Sequence, residues 1–498
     1  MSEPGLAPSK EAFLRDPSVS SQIDDQAIEI PTTPDVLVIG AGPAGMAAAR
    51  ACAQAGLVTV ILDEQAAPGG QIYRSISHTP LQERHVLGAD YWHGLSLVQG
   101  LHSSAVHRVA GAAVWNISPE REVAFSKSGR SYLLRPRRII VATGAQERPF
   151  PIEGWTLPGV MTAGGAQILL KSSGVVPAGK TVLAGCGPLL WLLASQLLAA
   201  GGRVDLILDT TPKKNRASAW PHVVEFLTSP YALKGLGLWL GVHRKVRVVT
   251  GVTQLRAESD GQMGRLARVH WHTSDGTAHQ QAVDTLLLHQ GVVPQTNLAM
   301  AIGVPHRWDE VQLCWQPEVD DFGRSAVEGV WLAGDGAGIG GAQAAACRGQ
   351  LAALSIIREL APSALTPDET TVRAELARWM RGRAFLDHWY RPADAMRIPK
   401  GETVVCRCEE ITAQQVVDTV GLGCTGPNQM KSFLRCGMGP CQGRLCSLTV
   451  TEIMAQQRGV SPAEVGHYRL RPPVKPISVG ELATLPQDEA ATKAVVRL

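Results

Sequence analysis

The chain has 498 residues, too many for one core, and length alone divides it among two to four domains. Hydrophobic residues make up 45%, charged residues 18%, and the net charge is +3, the composition of a soluble globular protein. That balance argues against nucleic acid and against an anionic membrane as the main partner, and no basic stripe with interleaved aromatics stands out.

Residues 1–33 are polar and lack the apolar core of a signal peptide, so they are expected to form a flexible arm. Val36–Ile39 reads as a buried parallel strand. It runs into Gly40-Ala41-Gly42-Pro43-Ala44-Gly45, a G-x-G-x-x-G turn, and then into the helix-forming run Met46–Arg50. Strand, glycine turn and helix in this order form the dinucleotide fingerprint. Gly40 permits the tight turn, Gly42 lets backbone approach a pyrophosphate, and Gly45 lets the helix lie close on the strand. The helix start offers free N–H groups to phosphate. Val58–Leu62 is the next strand, followed by Asp63 and Glu64. Glu64 lies about nineteen residues beyond Gly45, the spacing at which a carboxylate meets a ribose hydroxyl. Gly69-Gly70-Gln71 follows.

Short strands are expected at Val106–Val109 and Ala112–Ile117, with a hairpin from Val123–Phe125 and Tyr132–Leu134. Arg138–Thr143 is a third buried strand ending in an Ala142-Thr143-Gly144 turn. The most apolar stretch, Thr181–Ala200, approaches membrane-span length but is broken by Gly185-Cys186-Gly187-Pro188, so it reads as a buried strand and helix. Arg203–Asp209 is again a strand ending in an acid. This is a second dinucleotide-type unit nested in the first. It has Leu190 where the third glycine belongs, which pushes the helix off the strand. Either it holds NAD, with Asp209 on the ribose, or it is a retained scaffold. Asp284–His289 is expected to return to the first sheet. Val330–Asp335 is a further strand ending in Gly334-Asp335, and Gly336–Gly341 opens a helix from about 342 to 359. Asp335 suits a ribityl hydroxyl or a helix N-cap.

Ala361–Pro367 reads as a linker, followed by a helix over about 369–390. Five of the ten cysteines, Cys406, Cys408, Cys424, Cys436 and Cys441, fall within 406–441, and Cys446 follows. Without a secretion signal such clustering indicates metal rather than disulfides, in a reducing cytoplasm. Cys406-x-Cys408 and Cys436-x4-Cys441 give four thiolates in two close pairs. The glycine-rich second loop suits a [2Fe–2S] cluster better than zinc, with reactive or buried free thiols as a third reading. Cys424 and Cys446 read as small buried hydrophobes.

Residues 35–360 resemble the two-dinucleotide-domain flavoproteins, the superfamily of thioredoxin reductase and glutathione reductase. By that resemblance FAD is contacted by Gly40, Gly42, Pro43, Ala44, Gly45, Glu64, Gln65, Gly70, Gln71, Val109, Thr143, Gly144, Gly334, Asp335 and Gln343. Disulfide reductases carry a redox cysteine pair. Here Gly69–Arg74 has none and the second unit has only Cys186, so thiol–disulfide catalysis is not expected. The C-terminal segment resembles the bacterioferritin-associated-ferredoxin type of [2Fe–2S] domain. The phrases CRCEE, RCGMGPCQGR, PGGQIYR and GCGPLL resemble the large subunits of opine oxidases, hydroxyproline dehydrogenases and hydrogen cyanide synthase.

The fold class that follows is α/β, two nested dinucleotide-binding domains plus a small [2Fe–2S] domain. Its divisions are 34–154 with 285–360 for FAD, 155–284 for the second unit, 361–400 as linker and helix, 401–470 for the cluster, and 471–498 as tail. The resemblance implies an electron-transferring role within a complex. The partner is a D-amino-acid-oxidase-like flavoprotein that oxidises the amine. Some members add an FMN at the junction between chains and a small ferredoxin-like third component. Contact with the inner membrane would come through the electron acceptor, which the sequence does not name. No acid–base constellation stands out, so no catalytic residue is assigned. The competing readings are a self-contained NAD(P)H-dependent flavin oxidoreductase, and a module holding ATP or another adenine nucleotide structurally.

Overall fold

The computed structural model describes residues 30–486; most of the expected N-terminal arm, and the tail beyond 486, lie outside them. The chain begins with β1 (Val36–Ile39), α1 (Pro43–Gln54), β2 (Thr59–Asp63), β3 (Val106–Ala110) and β4 (Arg138–Val141). The second unit contains α2 (Ala163–Ser173), β5 (Thr181–Cys186), α3 (Pro188–Ala199), β6 (Leu206–Asp209), α4 (Val223–Leu227), α5 (Ala232–His243) and β7 (Thr285–Gln290). Then come β8 (Val330–Leu332), α6 (Ala342–Leu360), α7 (Arg383–Trp389) and, in the cysteine-rich module, α8 (Ser447–Arg458).

The first sheet is parallel, in the order β8-β4-β1-β2-β3. Its central strands β1, β2 and β4 are mostly apolar because both faces are covered, whereas the edge strand β3 carries His107 and Arg108. Val36 and Val38 point to the helical side with Met46, Ala48 and Ile356. Leu37 and Ile39 point the other way, onto the core of the three-stranded meander Ala113–Leu134 with Val114, Phe125 and Leu134. The alternation is the two-residue period of a strand.

The second sheet runs Arg247–Thr250, β6, β5, β7, Val160–Thr162. The expectation that Asp284–His289 returns to the first sheet is therefore corrected. Thr285–Gln290 pairs parallel with Thr181–Cys186 along six residues. An apolar run does not say which of two similar sheets it joins, and the return to the first sheet falls at Val330–Leu332. Val292–Pro294 pairs antiparallel with Ala145–Glu147, and these two short strands carry the chain between the units. The helix expected over 369–390 is two helices, Glu369–Met380 and α7, separated at Gly382 in the left-handed conformation.

The cysteine-rich module has its own core, including Val405, Val416, Met430, Val450, Met454 and Tyr468. Thr412 caps its first helix, Ala413–Gly421, in a reciprocal arrangement with Gln415. It is tied to the rest of the chain by an ion pair between Arg397 and Glu452, both 5% exposed, and by Trp155 donating to the Val404 carbonyl at 2.7 Å. The segment after it turns back over the first unit: Val474 N–H donates to the Trp115 carbonyl at 2.9 Å. No helix among the described residues is long and apolar enough to cross a membrane.

Candidate functional site

At the end of β1 the glycine turn is held by close backbone packing. A methyl group on Gly40 would lie 2.4 Å from the Ala142 carbonyl oxygen, and one on Gly45 only 1.8 Å from the Gly40 carbonyl oxygen. Pro43 occupies the first turn of α1, where its missing N–H costs nothing. Ala44 lies under α6: methyls on Gly334 and Gly349 would meet its Cβ at 2.7 Å and its carbonyl oxygen at 2.1 Å. Gly70 faces Gly42 across the mouth of the turn, with 2.9 Å from its virtual Cβ to the Gly42 Cα. The structure thus brings Gly40, Gly42, Pro43, Ala44, Gly45, Gly70 and Gly334 into one cradle.

The acid that locks the turn is Asp63. It accepts from Ala41 N–H at 2.5 Å and Gln65 N–H at 2.7 Å. Burial pushes its carboxyl up, against those two donors. Adjacent carboxylates ending a strand cannot be ranked by spacing, and sequence reading chose only Glu64. Glu64 pairs with Lys475, from the segment that turns back over the first unit. Burial raises its carboxyl, but Lys475, then Arg444 and Arg74, outweigh this and hold it below the ordinary value. Three cations from three segments therefore surround the Glu64 carboxylate. Arg74 also donates to the side-chain oxygens of Gln65 and Gln71. Val109 is 1% exposed within the meander-side core, so it supports the site from behind.

A buried lysine underlies the Gly70–Gln71 turn. Lys171 of α2 donates to the Gln71 carbonyl at 3.3 Å, the Ile72 carbonyl at 2.9 Å and the Gln167 side chain at 3.0 Å. Burial, and then Arg74, push its ammonium down to about 7. No sequence pattern singled it out, because its partners are backbone carbonyls about a hundred residues away.

On the far side of the cradle, Thr143 donates to the Gln295 carbonyl at 3.1 Å, and Gln295 N–H donates to the Gly144 carbonyl at 2.9 Å. Asp335 accepts from Gly340 and Gly341 N–H, each at 2.9 Å, so one of its oxygens organises the loop that opens α6. Gln343 is half-buried in the first turn of that helix.

Five of the module's thiols gather nearby. The sulfurs of Cys406, Cys436 and Cys446 lie within 4.8 Å of one another, all buried. Cys436 first, then Cys446, lowers the Cys406 thiol, and their own are raised in return. Cys408 and Cys441 interact at the rim. A Cβ on Gly439 would meet the Cys408 sulfur at 3.3 Å. Cys446, which the sequence offers as a spare thiol and a small buried residue, is fully buried and also lies beside Cys406 and Cys436; Cys441-x4-Cys446 repeats the spacing of Cys436-x4-Cys441. Cys424 donates instead to the Gly426 carbonyl at 3.5 Å. Tyr468 is wedged between Gly437 and Gly443 of the same loop.

The loop is hydrogen-bonded onto the nucleotide unit. Asn297 donates to the Gln442 carbonyl at 2.9 Å and Gln146 to the Arg444 carbonyl at 2.7 Å. Asn297 and Gln146 each lie two residues from the Thr143–Gly144–Gln295 contact. A water-sized cavity of about 20 Å³ lies between, bordered by Gln295, Trp315, His467 and Tyr468.

The second glycine turn is filled from within. Cys186 donates to the Tyr390 carbonyl at 3.5 Å, and Asn215 to the Trp389 and Arg391 carbonyls at 2.9 and 2.8 Å. His289 sits on the turn, its Nε2 3.0 Å from a virtual Cβ of Gly187, and its Nδ1 is 2.6 Å from Glu147. Asp209 accepts from Thr211 N–H.

The pyridine nucleotide-disulphide oxidoreductase family profile matches residues 34–220 and 238–350, and the sarcosine oxidase A3 domain matches 400–485. The opine oxidase A-type chain of Agrobacterium tumefaciens (strain Ach5) is 46% identical, covering 97% of this chain and 96% of its own. The HcnB component of hydrogen cyanide synthase from Pseudomonas aeruginosa is 32% identical, covering 89% and 96%. The crystal structure of L-proline dehydrogenase from P. horikoshii shares the fold with a TM-score of 0.68 at 19% identity, over 91% of this chain and 80% of that one. The chain is thus an oxidoreductase that belongs to the pyridine nucleotide-disulphide oxidoreductase family, in the branch of the opine oxidase A-type chains.

Proposed function

We propose that the chain is the electron-transferring flavoprotein and iron–sulfur subunit of a hetero-oligomeric dye-linked dehydrogenase or oxidase. Its donor is a CH–NH or CH–NH2 compound, an opine or an amino acid such as hydroxyproline. Relatives named as subunits of an opine oxidase and of hydrogen cyanide synthase support this reading. So does one geometric observation. The cysteine loop is fastened by Gln146, in the short strand after the Thr143–Gly144 turn, and by Asn297, at the start of a helix two residues from Gln295, so two redox sites would share one support.

FAD fits the first cradle. Gly42 and Gly70 face each other with no side chain between them, and the start of α1 would offer its free N–H groups to a diphosphate. A [2Fe–2S] cluster fits the thiols. Cys406, Cys408, Cys436 and Cys441 are the expected ligands, and Cys446 is a fifth sulfur that competes for the four positions. Flavin and cluster together would supply two-electron and one-electron carriers. The chain's own residues do the holding: Asp63 fixes the turn, Lys171 fixes the Gly70–Gln71 strap, and Asp335 fixes the loop before α6.

The partner in this reading is a D-amino-acid-oxidase-like flavoprotein. Further components are a small ferredoxin-like protein and an FMN at the junction, and the complex works on the cytoplasmic side of the membrane. The second nucleotide turn serves as scaffold. Trp389–Arg391 lies where NAD would enter, which weighs against a self-contained NAD(P)H oxidoreductase. The test is anaerobic stopped-flow. NADH should leave the isolated chain's flavin oxidised, whereas the reconstituted complex with its amine substrate should bleach it. Rapid bleaching by NADH alone would overturn the proposal.

A further inference from the structure

The net charge of +3 conceals a local imbalance. Residues 211–250 contain seven Lys and Arg but a single acid, Glu225. That glutamate is engaged, accepting from Gly382 N–H at 3.2 Å. Lys213, Lys214 and Arg216, the last in the short helix Asn215–Ala219, come before α4, and Arg244, Lys245 and Arg247 follow α5; all six are exposed. Lys234, within α5, pairs with Asp90.

Between these cations lies an uncovered apolar surface. Helix α5 reads ALKGLGLWLGVH, yet Val242 is its only buried residue. Leu233 is 86% exposed, Leu236 54% and Trp239 44%; next to them Trp220 is 73%, Val224 71% and Leu227 66% exposed. Helices α4 and α5 pack against each other. All six side chains are exposed, and monomers seldom leave a contiguous apolar patch of more than a few hundred Å² uncovered. Arg216 also bears on the second nucleotide turn, through Asp209 and Trp389, whereas the exposed leucines and tryptophans make no such contact.

We propose that α4 and α5 form a docking face for an anionic lipid bilayer. Leucine and tryptophan exposed on α4 and α5, with lysine and arginine on the segments at both ends, offer apolar burial and charge attraction to an anionic bilayer together. The cations would lie at the depth of lipid phosphates, where each adds attraction that salt screens. A protein partner would be expected to deplete lysine across such a face and to supply apolar residues of its own. The inference is independent of the cofactor assignment and places the chain beside a membrane-confined electron acceptor.

The test is flotation of the purified full-length chain with vesicles of phosphatidylcholine alone or with phosphatidylglycerol added. The expected result is binding to the anionic vesicles, at least tenfold weaker without the anionic lipid and weakened again at high salt. L233E/L236E should lose at least tenfold, and K213E/K214E, which leaves the apolar face intact, should lose the preference for anionic lipid. Both pairs are exposed, so unchanged circular dichroism should accompany the loss. Absence of binding to anionic vesicles, or equal binding by L233E/L236E, would overturn the proposal. A concentration-dependent dimer in sedimentation that L233E/L236E dissolves would overturn it in favour of a second copy. Loss of the amine-oxidising partner in that variant, with vesicle binding intact, would overturn it in favour of a protein interface.

Discussion

Replacing Gly45 with alanine places a methyl carbon 1.8 Å from the Gly40 carbonyl oxygen and 3.2 Å from Val38 Cγ1. An ordinary contact needs about 3.4 Å, so α1 and the turn must separate by roughly 1.6 Å. Both sides of the clash are backbone, and no rotamer change relieves it. Overpacking of this kind costs about 3 kcal/mol, of which the better helix propensity of alanine returns about 1 kcal/mol. A net loss of about 2 kcal/mol corresponds to a fall of roughly 4–8 °C in the melting temperature of a domain this size. The same displacement spoils the aim of the helix N-terminus, so bound flavin should fall with it. The assay is flavin absorbance per chain after gel filtration, with thermal melts beside it. Gly237→Ala is the control: it lies on an exposed helix with no atom within 4 Å of its virtual Cβ, and it should leave both readouts unchanged or slightly raised. A Gly45→Ala protein with full flavin and an unshifted melt would refute the packing argument.

Lys171 titrates near 7 when folded, against an ordinary 10.5. Between those values the unfolded chain binds a proton that the folded chain has released. Stability should therefore rise with pH over that window, by at most about 5 kcal/mol. Lys171→Met should lack that rise when urea midpoints at pH 7 and 9.5 are compared, and an identical rise would count against the buried-ammonium assignment. Arg397→Met strands the Glu452 carboxylate, 5% exposed, and should cost about 3–5 kcal/mol. Limited proteolysis should then release the cysteine module faster, and an unchanged rate would mean the pair is not a tether. Cys406→Ser should lose its iron while Cys424→Ser keeps it; equal iron in the two would move the metal site elsewhere.

Much of this was legible before the fold. The turn at Gly40–Gly45 was readable because a pyrophosphate-sized gap demands glycine at fixed spacing, and each glycine does stand against backbone. The central strands of the first sheet were readable because burial on both faces leaves them mostly apolar. What was not legible depends on partners far apart in the chain. Thr285–Gln290 carries no mark saying which sheet it joins. Lys171 is recognisable only once its carbonyls are overhead. Lys475 reaches Glu64 only because the C-terminal segment turns back. Cys446 is the buried residue it read as, and its closeness to Cys406 and Cys436 emerges only in the fold. The charge of the whole chain averaged away the basic, apolar stretch at 211–250.

The central claim is that one polypeptide carries both a flavin cradle and a thiolate-held cluster. Anaerobic purification of the full chain, followed by its visible spectrum with flavin and iron assays, tests this most directly. The account predicts a yellow-brown protein with about one flavin and about two irons per chain, the iron absent from Cys406→Ser. A colourless protein, or one whose iron survives that substitution, would contradict it.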